Sequence, residues 1–316
     1  MISLQSVSKR YGSKVVVRDV SFEVAEGEVV GFLGPNGAGK TTTLRMISGY
    51  ITPTVGRIEV AGYDVVQDNI SVAKRIGYLP ELPPLYDTLS VVGYLRFVAK
   101  AKGVTRSEME LELDRVATAC RRESVFRHEV FKLSKGYRQR LGLAQALIGK
   151  PDVLLLDEPT SGLDPGQIQE TREVIRSFGK EHTVLLSTHI LSEVTRICQR
   201  VAIINEGRLL TIDTPAGLQR AAQEANCIVL KVSGQTDNLR TELMAIDGIR
   251  QVQVEGPDEY QMFSVECDVE EREGLDAAIA RRVSSEWSLH HFERQQPTLE
   301  NVFLRYVRDT PGESNS

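Results

Sequence analysis

"GEVVGFLGPNGAGKTTTLRMISGY", residues 27–50, is the stretch whose reading decides the fold. "GEVVGFLG" is apolar without alternation and reads as a buried strand of a parallel sheet. "GKTTTLRMISGY" opens a helix that ends near Gly49. Between the two, residues 34–42 fit the pattern G-x-x-x-x-G-K-[ST]. Gly34, Gly37 and Gly39 allow the backbone to curl so that its N–H groups face phosphate oxygens, and the helix N-terminus adds partial positive charge. Lys40 is expected to reach the β- and γ-phosphates, and the Thr41 hydroxyl to ligate Mg²⁺. The candidate nucleotide-binding run is therefore Gly34, Pro35, Asn36, Gly37, Ala38, Gly39, Lys40, Thr41 and Thr42.

Working outward, "DVLLLDEPT" and "TVLLSTH" read as two more buried parallel strands. "RVAIINEGRLL" carries a hairpin signal with its turn at Glu206 and Gly207. Between the prolines near residue 80 and the strand at Val153 the pattern is helical, in "SVVGYLRFVAKAKGV", "SEMELELDRVATACRRE" and "GYRQRLGLAQALIG". The fold class is thus α/β, a P-loop NTPase core over residues 1–222 with a helical insertion at about 82–150. After "TPAGLQRAAQEA" the order becomes β-α-β-β-α-β, with a turn at Gly256-Pro257-Asp258, followed by a last helix in "TLENVFLRYV". That order predicts a small C-terminal α+β, ferredoxin-like domain over 225–308, and the polar residues 309–316 read as a disordered tail.

A length of 316 residues suits two domains, and 41% hydrophobic with 26% charged residues is the composition of a globular chain. The net charge of -5 argues against a general nucleic-acid binder. No apolar run approaches the ~18 residues of a membrane span, and "MISLQSVSKR" lacks the apolar core of a signal peptide. Cys120, Cys198, Cys227 and Cys267 are scattered and form no metal-binding or disulfide pattern. A cytoplasmic protein is expected.

"VLLLDEP", residues 153–159, ends a buried strand in two acids. Asp157 suits a Mg²⁺ ligand, and Glu158 beside it suits the polarisation of an attacking water. Adjacent carboxylates repel, so the pair makes sense mainly with a cation present. The run Arg121, Arg122, Arg127, Lys132, Lys135, Arg138 and Arg140 is basic, but no aromatic platform is interleaved with it and no nucleic acid is expected.

"GPNGAGKTT", "LSKGYRQR" (133–140), "LLLDEPTSGLD" (155–164) and "STH" (187–189) follow in the order and approximate spacing of ABC-type ATPases. The chain resembles that family over about residues 1–220. The resemblance implies ATP and Mg²⁺ as cofactors and a dimer, homo- or heterodimeric, that sandwiches two ATP. It places Ser134 and Gly136 in the signature motif, which binds the γ-phosphate held by the other subunit. Asp164 becomes the acid of the loop linking the two sites, His189 the switch histidine at the γ-phosphate and attacking water, and Tyr11 the aromatic that stacks on adenine. Glu158, His189 and Lys40 are then the catalytic candidates, and Thr41, Asp157 and Glu81 the metal ligands.

Two positions depart from the family's commonest signature, LSGGQ: Lys135 replaces the first glycine of its pair and Tyr137 the glutamine. In "IGYLPELPPLY" (76–86), Glu81 stands where most members have a metal-ligating glutamine. A carboxylate oxygen can do that work, since Mg²⁺ prefers hard oxygen ligands. The resemblance further implies a separate permease that receives the chain at the cytoplasmic face of the inner membrane, docking on the loop from Leu79 and the helices after it. "IGYLPE", "SKGYRQR" and "PTLENVFLRYV" look like ABC-2-type exporters, especially the gliding-motility-associated branch. The other reading is a soluble ABC-type ATPase of translation or DNA repair. One phosphate loop and no sustained heptads speak for the transporter.

Overall fold

Val29–Leu33 forms a strand (β3) whose five residues are all buried in the computed structural model of the chain. The structure describes residues 1–119, 128–223, 226–233, 238–255, 261–267 and 274–295. Cys120, the arginines at 121, 122 and 127, the Gly256-Pro257-Asp258 turn, the expected helix in "TLENVFLRYV" and the tail 309–316 lie outside them. The chain divides into two units, Met1–Pro215 and Ala216–Ser316. Helix α8 (Pro215–Gln223) straddles the division, and the boundary expected at 222–225 falls at its end.

In the first unit, β3 lies between β8 (Thr183–Thr188) and β9 (Arg200–Asn205), and β8 continues to β7 (Val153–Asp157) and β6 (Ile76–Leu79), all parallel. β10 (Arg208–Asp213) adds an antiparallel edge beside β9, so the order is β10-β9-β3-β8-β7-β6. The hairpin β9–β10 turns at Glu206 and Gly207, both at positive φ (47° and 78°), as a two-residue turn matched to strand twist requires. β7 and β8 are buried at every residue, which is why their sequences run apolar instead of alternating.

A second, antiparallel sheet, β2-β1-β4-β5, is built from β1 (Ile2–Tyr11), β2 (Lys14–Val24), β4 (Val55–Val60) and β5 (Tyr63–Asp64). The sequence pattern does not announce this sheet. Ser6 and Asp19 take left-handed φ of 48°, and the β1–β2 register shifts at several points, so the alternation that marks a strand is broken. Its inner residues Leu4, Val7, Val17 and Phe22 meet Phe32 and Leu185 of the parallel sheet and Leu44, Met46 and Ile47 of α1 (Lys40–Ile47) in one core. Phe22 stacks on Phe32 with centroids 5.7 Å apart. The alternate residues of the parallel sheet meet helices. A Cβ on Gly31 would run into Val194 of α7 (Leu191–Ile197), and one on Gly77 into the Ala146 carbonyl of α5 (Lys135–Leu147).

Helix α2 (Asn69–Arg75) leads into β6. Between β6 and β7 come α3 (Val91–Ala101), α4 (Met109–Ala119), a 3-10 turn at Val130–Lys132 and α5. α6 (Pro165–Phe178) follows β7. In the second unit, β11 (Asn226–Ser233), β12 (Ile249–Glu255), β13 (Gln261–Cys267) and β14 (Ser288–Gln295) form an antiparallel sheet in the order β12-β13-β11-β14. Ile228, Leu230, Val232, Phe263 and Val265 bury one face of it against Leu239 and Leu243 of α9 (Leu239–Met244) and Ile279 and Val283 of α10 (Leu275–Glu286).

Glu112 ties the helical insertion to the parallel sheet. Its buried carboxylate accepts from Arg115 Nε (2.8 Å) and Nη2 (2.7 Å) and from the Gly149 backbone N–H (2.8 Å) just before β7. Burial raises the carboxyl's pKa, but the Arg115 and Gly149 hydrogen bonds outweigh it and hold the carboxyl below its ordinary value. A depressed folded pKa stabilises above the unfolded value, and that stability is lost as pH falls through the folded one. Glu112→Ala should therefore cost about 2–3 kcal/mol at pH 7 and much less near pH 3. Urea unfolding at the two pH values, followed by circular dichroism, measures it.

Candidate functional site

The carboxyl ends of β3, β6, β7 and β8 share one edge of the parallel sheet, where open α/β sheets place ligands. Leu33 leads there into the glycine loop, Leu79 into Pro80 and Glu81, Asp157 into Glu158, and Thr188 into His189. The loop from Gly34 closes back onto the sheet, its Gly34 N–H donating to the Thr188 carbonyl (3.3 Å). It ends at Gly39, the N-cap of α1, at φ 103°, where a Cβ would stand 2.9 Å from the Val16 carbonyl. Only glycine fits both the turn and that approach.

Lys40 is buried, and its Nζ donates to the carbonyls of Gly34 (2.7 Å) and Pro35 (3.2 Å). The same ammonium lies 3.3 Å from Glu158 Oε1. That is ion-pair distance without hydrogen-bond alignment, and Oε1 has no hydrogen bond. The other oxygen, Oε2, is 2.9 Å from His189 Nδ1. Glu158 thus bridges the first and last motifs of the site. Its φ of 47° is strained for a residue with a Cβ, a cost that folds tend to keep where side-chain aim matters.

Asp157 is fully buried. Its Oδ1 accepts from Ser187 Oγ at 2.5 Å, the Thr41 hydroxyl lies close enough to favour its charged form, and Oδ2 has no partner among the described residues. Burial pushes its carboxyl pKa up and the neighbouring Glu158 charge adds to this, while the hydroxyls and Lys40 oppose it. A buried carboxylate oxygen without a donor, beside a threonine hydroxyl, fits a hard cation such as Mg²⁺. Among the described residues no three His, Cys, Asp or Glu side chains gather as a protein-only metal cage.

So Lys40, Thr41, Asp157, Glu158 and His189 form one linked cluster. Glu81 stands at the same sheet edge but is exposed and makes no hydrogen bond or ion pair with described residues. Tyr11 ends β1 half-exposed, with the Lys9 ammonium 5.2 Å from its ring centroid. Ser134 caps α5, accepting from Tyr137 N–H, and Asp164 caps α6, accepting from Gln167 N–H at 2.9 Å. These two loops meet each other within the chain. A Cβ on Gly136 would overlap the Gln167 side-chain amide, Lys135 lies across Gly162, and Arg140 pairs with Glu170 at 2.5 Å. Ser187, which orients Asp157, is the first residue of the "STH" motif and carries a role that the motif does not assign to it. Its only sequence signal was a hydroxyl at the end of an apolar strand.

A family model described as ABC transporter matches residues 17–161. The chain is 35% identical over 306 residues to a Nod factor export ATP-binding protein I of Paraburkholderia xenovorans, covering 96% of each. It is 41% identical over 212 residues to the bacitracin transport ATP-binding protein BcrA of Bacillus licheniformis, 66% of this chain and 68% of that one. A solved ATP-binding subunit of an ABC transporter superposes with a TM-score of 0.65 at 32% identity, covering 70% of this chain and 92% of its own. A dimeric bacterial ABC transporter cassette gives 0.63 at 24%, covering 68% and 98%, and shows the shared fold.

Because burial raises the Asp157 pKa, its charge penalises the native state at every pH above the unfolded-state value, fully so above the raised one. Asp157→Asn should therefore raise the thermal midpoint by a few degrees at pH 7 without Mg²⁺, and by nothing near pH 3, below the ordinary value of ~3.9. Adding Mg²⁺ and ATP should lift the wild-type midpoint far more than the variant's. Differential scanning fluorimetry reads both.

Proposed function

Because this chain belongs to the ABC transporter ATP-binding family, we propose that it is the ATP-hydrolysing subunit of an exporter, dimerising on ATP and driving a separate membrane permease. The observation that carries the reading is the chain of contacts Lys40–Glu158–His189 beside the unpartnered Asp157 oxygen. Glu158 Oε1, free of hydrogen bonds, takes the proton of the attacking water, while His189 on Oε2 holds the carboxylate's orientation. Lys40 and the loop N–H groups hold the β- and γ-phosphates, and Tyr11 stacks on the adenine. Thr41, Asp157 and Glu81 would hold Mg²⁺, which would supply positive charge against the phosphates of bound ATP.

Ser134, Gly136 and Asp164 complete the partner's site across the dimer. ATP then acts as the adhesive between subunits, and hydrolysis with product release reopens them. Export is supported by relatives named for Nod factor export and, in Bacillus subtilis, for linearmycin resistance. The ABC-2 type rests on the "IGYLPE", "SKGYRQR" and "PTLENVFLRYV" stretches. No described helix is long and apolar enough to cross a membrane, so attachment to the inner membrane would come through the permease. The β-α-β-β-α-β order of the second unit supports a ferredoxin-like accessory domain that holds or regulates the dimer. A role in translation or DNA repair has no support among these relatives.

Glu158→Gln keeps the shape but cannot take the proton. It should bind ATP, trap the dimer on size-exclusion chromatography and lose about 100-fold or more in phosphate release. Turnover at the wild-type rate would remove Glu158 as the base. Glu81→Gln keeps an oxygen ligand and should retain substantial ATPase activity. Co-purification with a membrane protein, against co-sedimentation with ribosomes, tests the transport assignment.

A further inference from the structure

Glu193 is 1% exposed, yet no motif named above uses it. Among the described residues its ion-pair partner is Arg172 of α6, whose Nη2 is 3.8 Å from Oε1, too far for a hydrogen bond. Hydroxyls hold it instead. Thr160 Oγ1 donates to Oε1, and Thr188 Oγ1 donates to Oε2 at 2.9 Å. A carboxylate buried this deeply is costly and needs a reason to be kept.

Both threonines stand next to the chemistry. Thr160 is two residues beyond Glu158 in the turn that leaves β7. Thr188 ends β8, directly before His189. The Thr188 hydroxyl also accepts from the Ile190 backbone N–H at 3.0 Å, so the residues on both sides of His189 are tied to one oxygen whose proton goes to Glu193. The His189 ring itself is half-exposed, and among the described residues its side chain bonds Glu158. Its place is therefore set by the backbone beneath it. Glu193 returns that backbone to its own helix as well, its N–H donating to the Ile190 carbonyl at 3.1 Å.

We propose that Glu193 is a positioning residue for ATP hydrolysis: its buried carboxylate clamps Thr160 and Thr188, and so fixes the two strand ends that present Glu158 and His189 to each other. The inference rests on the reading of the nucleotide site above. Arg172 brings the helix that Asp164 caps to the same carboxylate, so the clamp reaches the loop that faces the partner subunit.

The test uses the full chain with Glu193→Gln, Thr188→Val and Thr188→Ser. Glu193→Gln keeps the volume and loses the charge and one acceptor. Thr188→Val keeps the shape without the hydroxyl, and Thr188→Ser keeps the hydroxyl. Steady-state ATPase kinetics should show kcat down about 10-fold or more in Glu193→Gln and Thr188→Val, with KM for ATP within about 2-fold of wild type. Thr188→Ser should restore kcat to within about 3-fold. Binding of a Mg²⁺-loaded non-hydrolysable ATP analogue and the thermal midpoint should stay near wild type. Wild-type kcat in Glu193→Gln, Thr188→Ser as impaired as Thr188→Val, or a joint fall of kcat, analogue affinity and midpoint overturns the proposal. An inactive wild-type chain overturns the reading of the site, and this inference with it.

Discussion

Two carboxylates, Asp157 and Glu158, leave one strand side by side in a buried place, and the site is organised around that repulsion. Each is given a hydroxyl, an ammonium or an imidazole on one side and left incomplete on the other. On the proposed reading, the incomplete side is where a cation and a water would sit. The arrangement is costly by itself, and the proposed metal–nucleotide complex would offset that cost, so stability and the proposed function pull in opposite directions at these residues. Only a stiff support sustains it. The parallel sheet supplies this, with β7 and β8 buried along their whole lengths and bonded to each other from Val153 to Asp157.

A second pattern links the site to the surface proposed to face a partner subunit. The helix after the signature loop, α5, packs on α6 within the chain, Gly136 against Gln167 and Arg140 paired with Glu170. Arg172, on the same helix as Gln167 and Glu170, reaches Glu193 beneath the histidine turn. One helix therefore carries contacts to both sets of residues.

The parts of the fold that were legible in the sequence are those governed by local rules. An apolar run buried on both faces, a glycine-rich turn before a helix, and the Glu206–Gly207 hairpin turn each answer to the chain within a few residues of themselves. The antiparallel sheet was missed because Ser6 and Asp19 interrupt its strands with left-handed backbone, which erases the period-2 signal. Glu193 was missed for a different reason. A glutamate in the first turn of a helix has an ordinary helical explanation, and nothing nearby in sequence says that its carboxylate is buried under two threonines.

By itself the sequence determined the phosphate loop, the acids after β7, the order of the motifs and the two-part organisation, because each depends on residue type and spacing along the chain. Tertiary structure alone decided which of those residues touch. It joined Lys40, Glu158 and His189, up to 149 positions apart, at one sheet edge, and left Glu81 at that edge without a bond. It also decided which oxygen of each acid is satisfied. The reason is that hydrogen bonding and burial depend on distance in space, and the register of parallel strands converts one into the other.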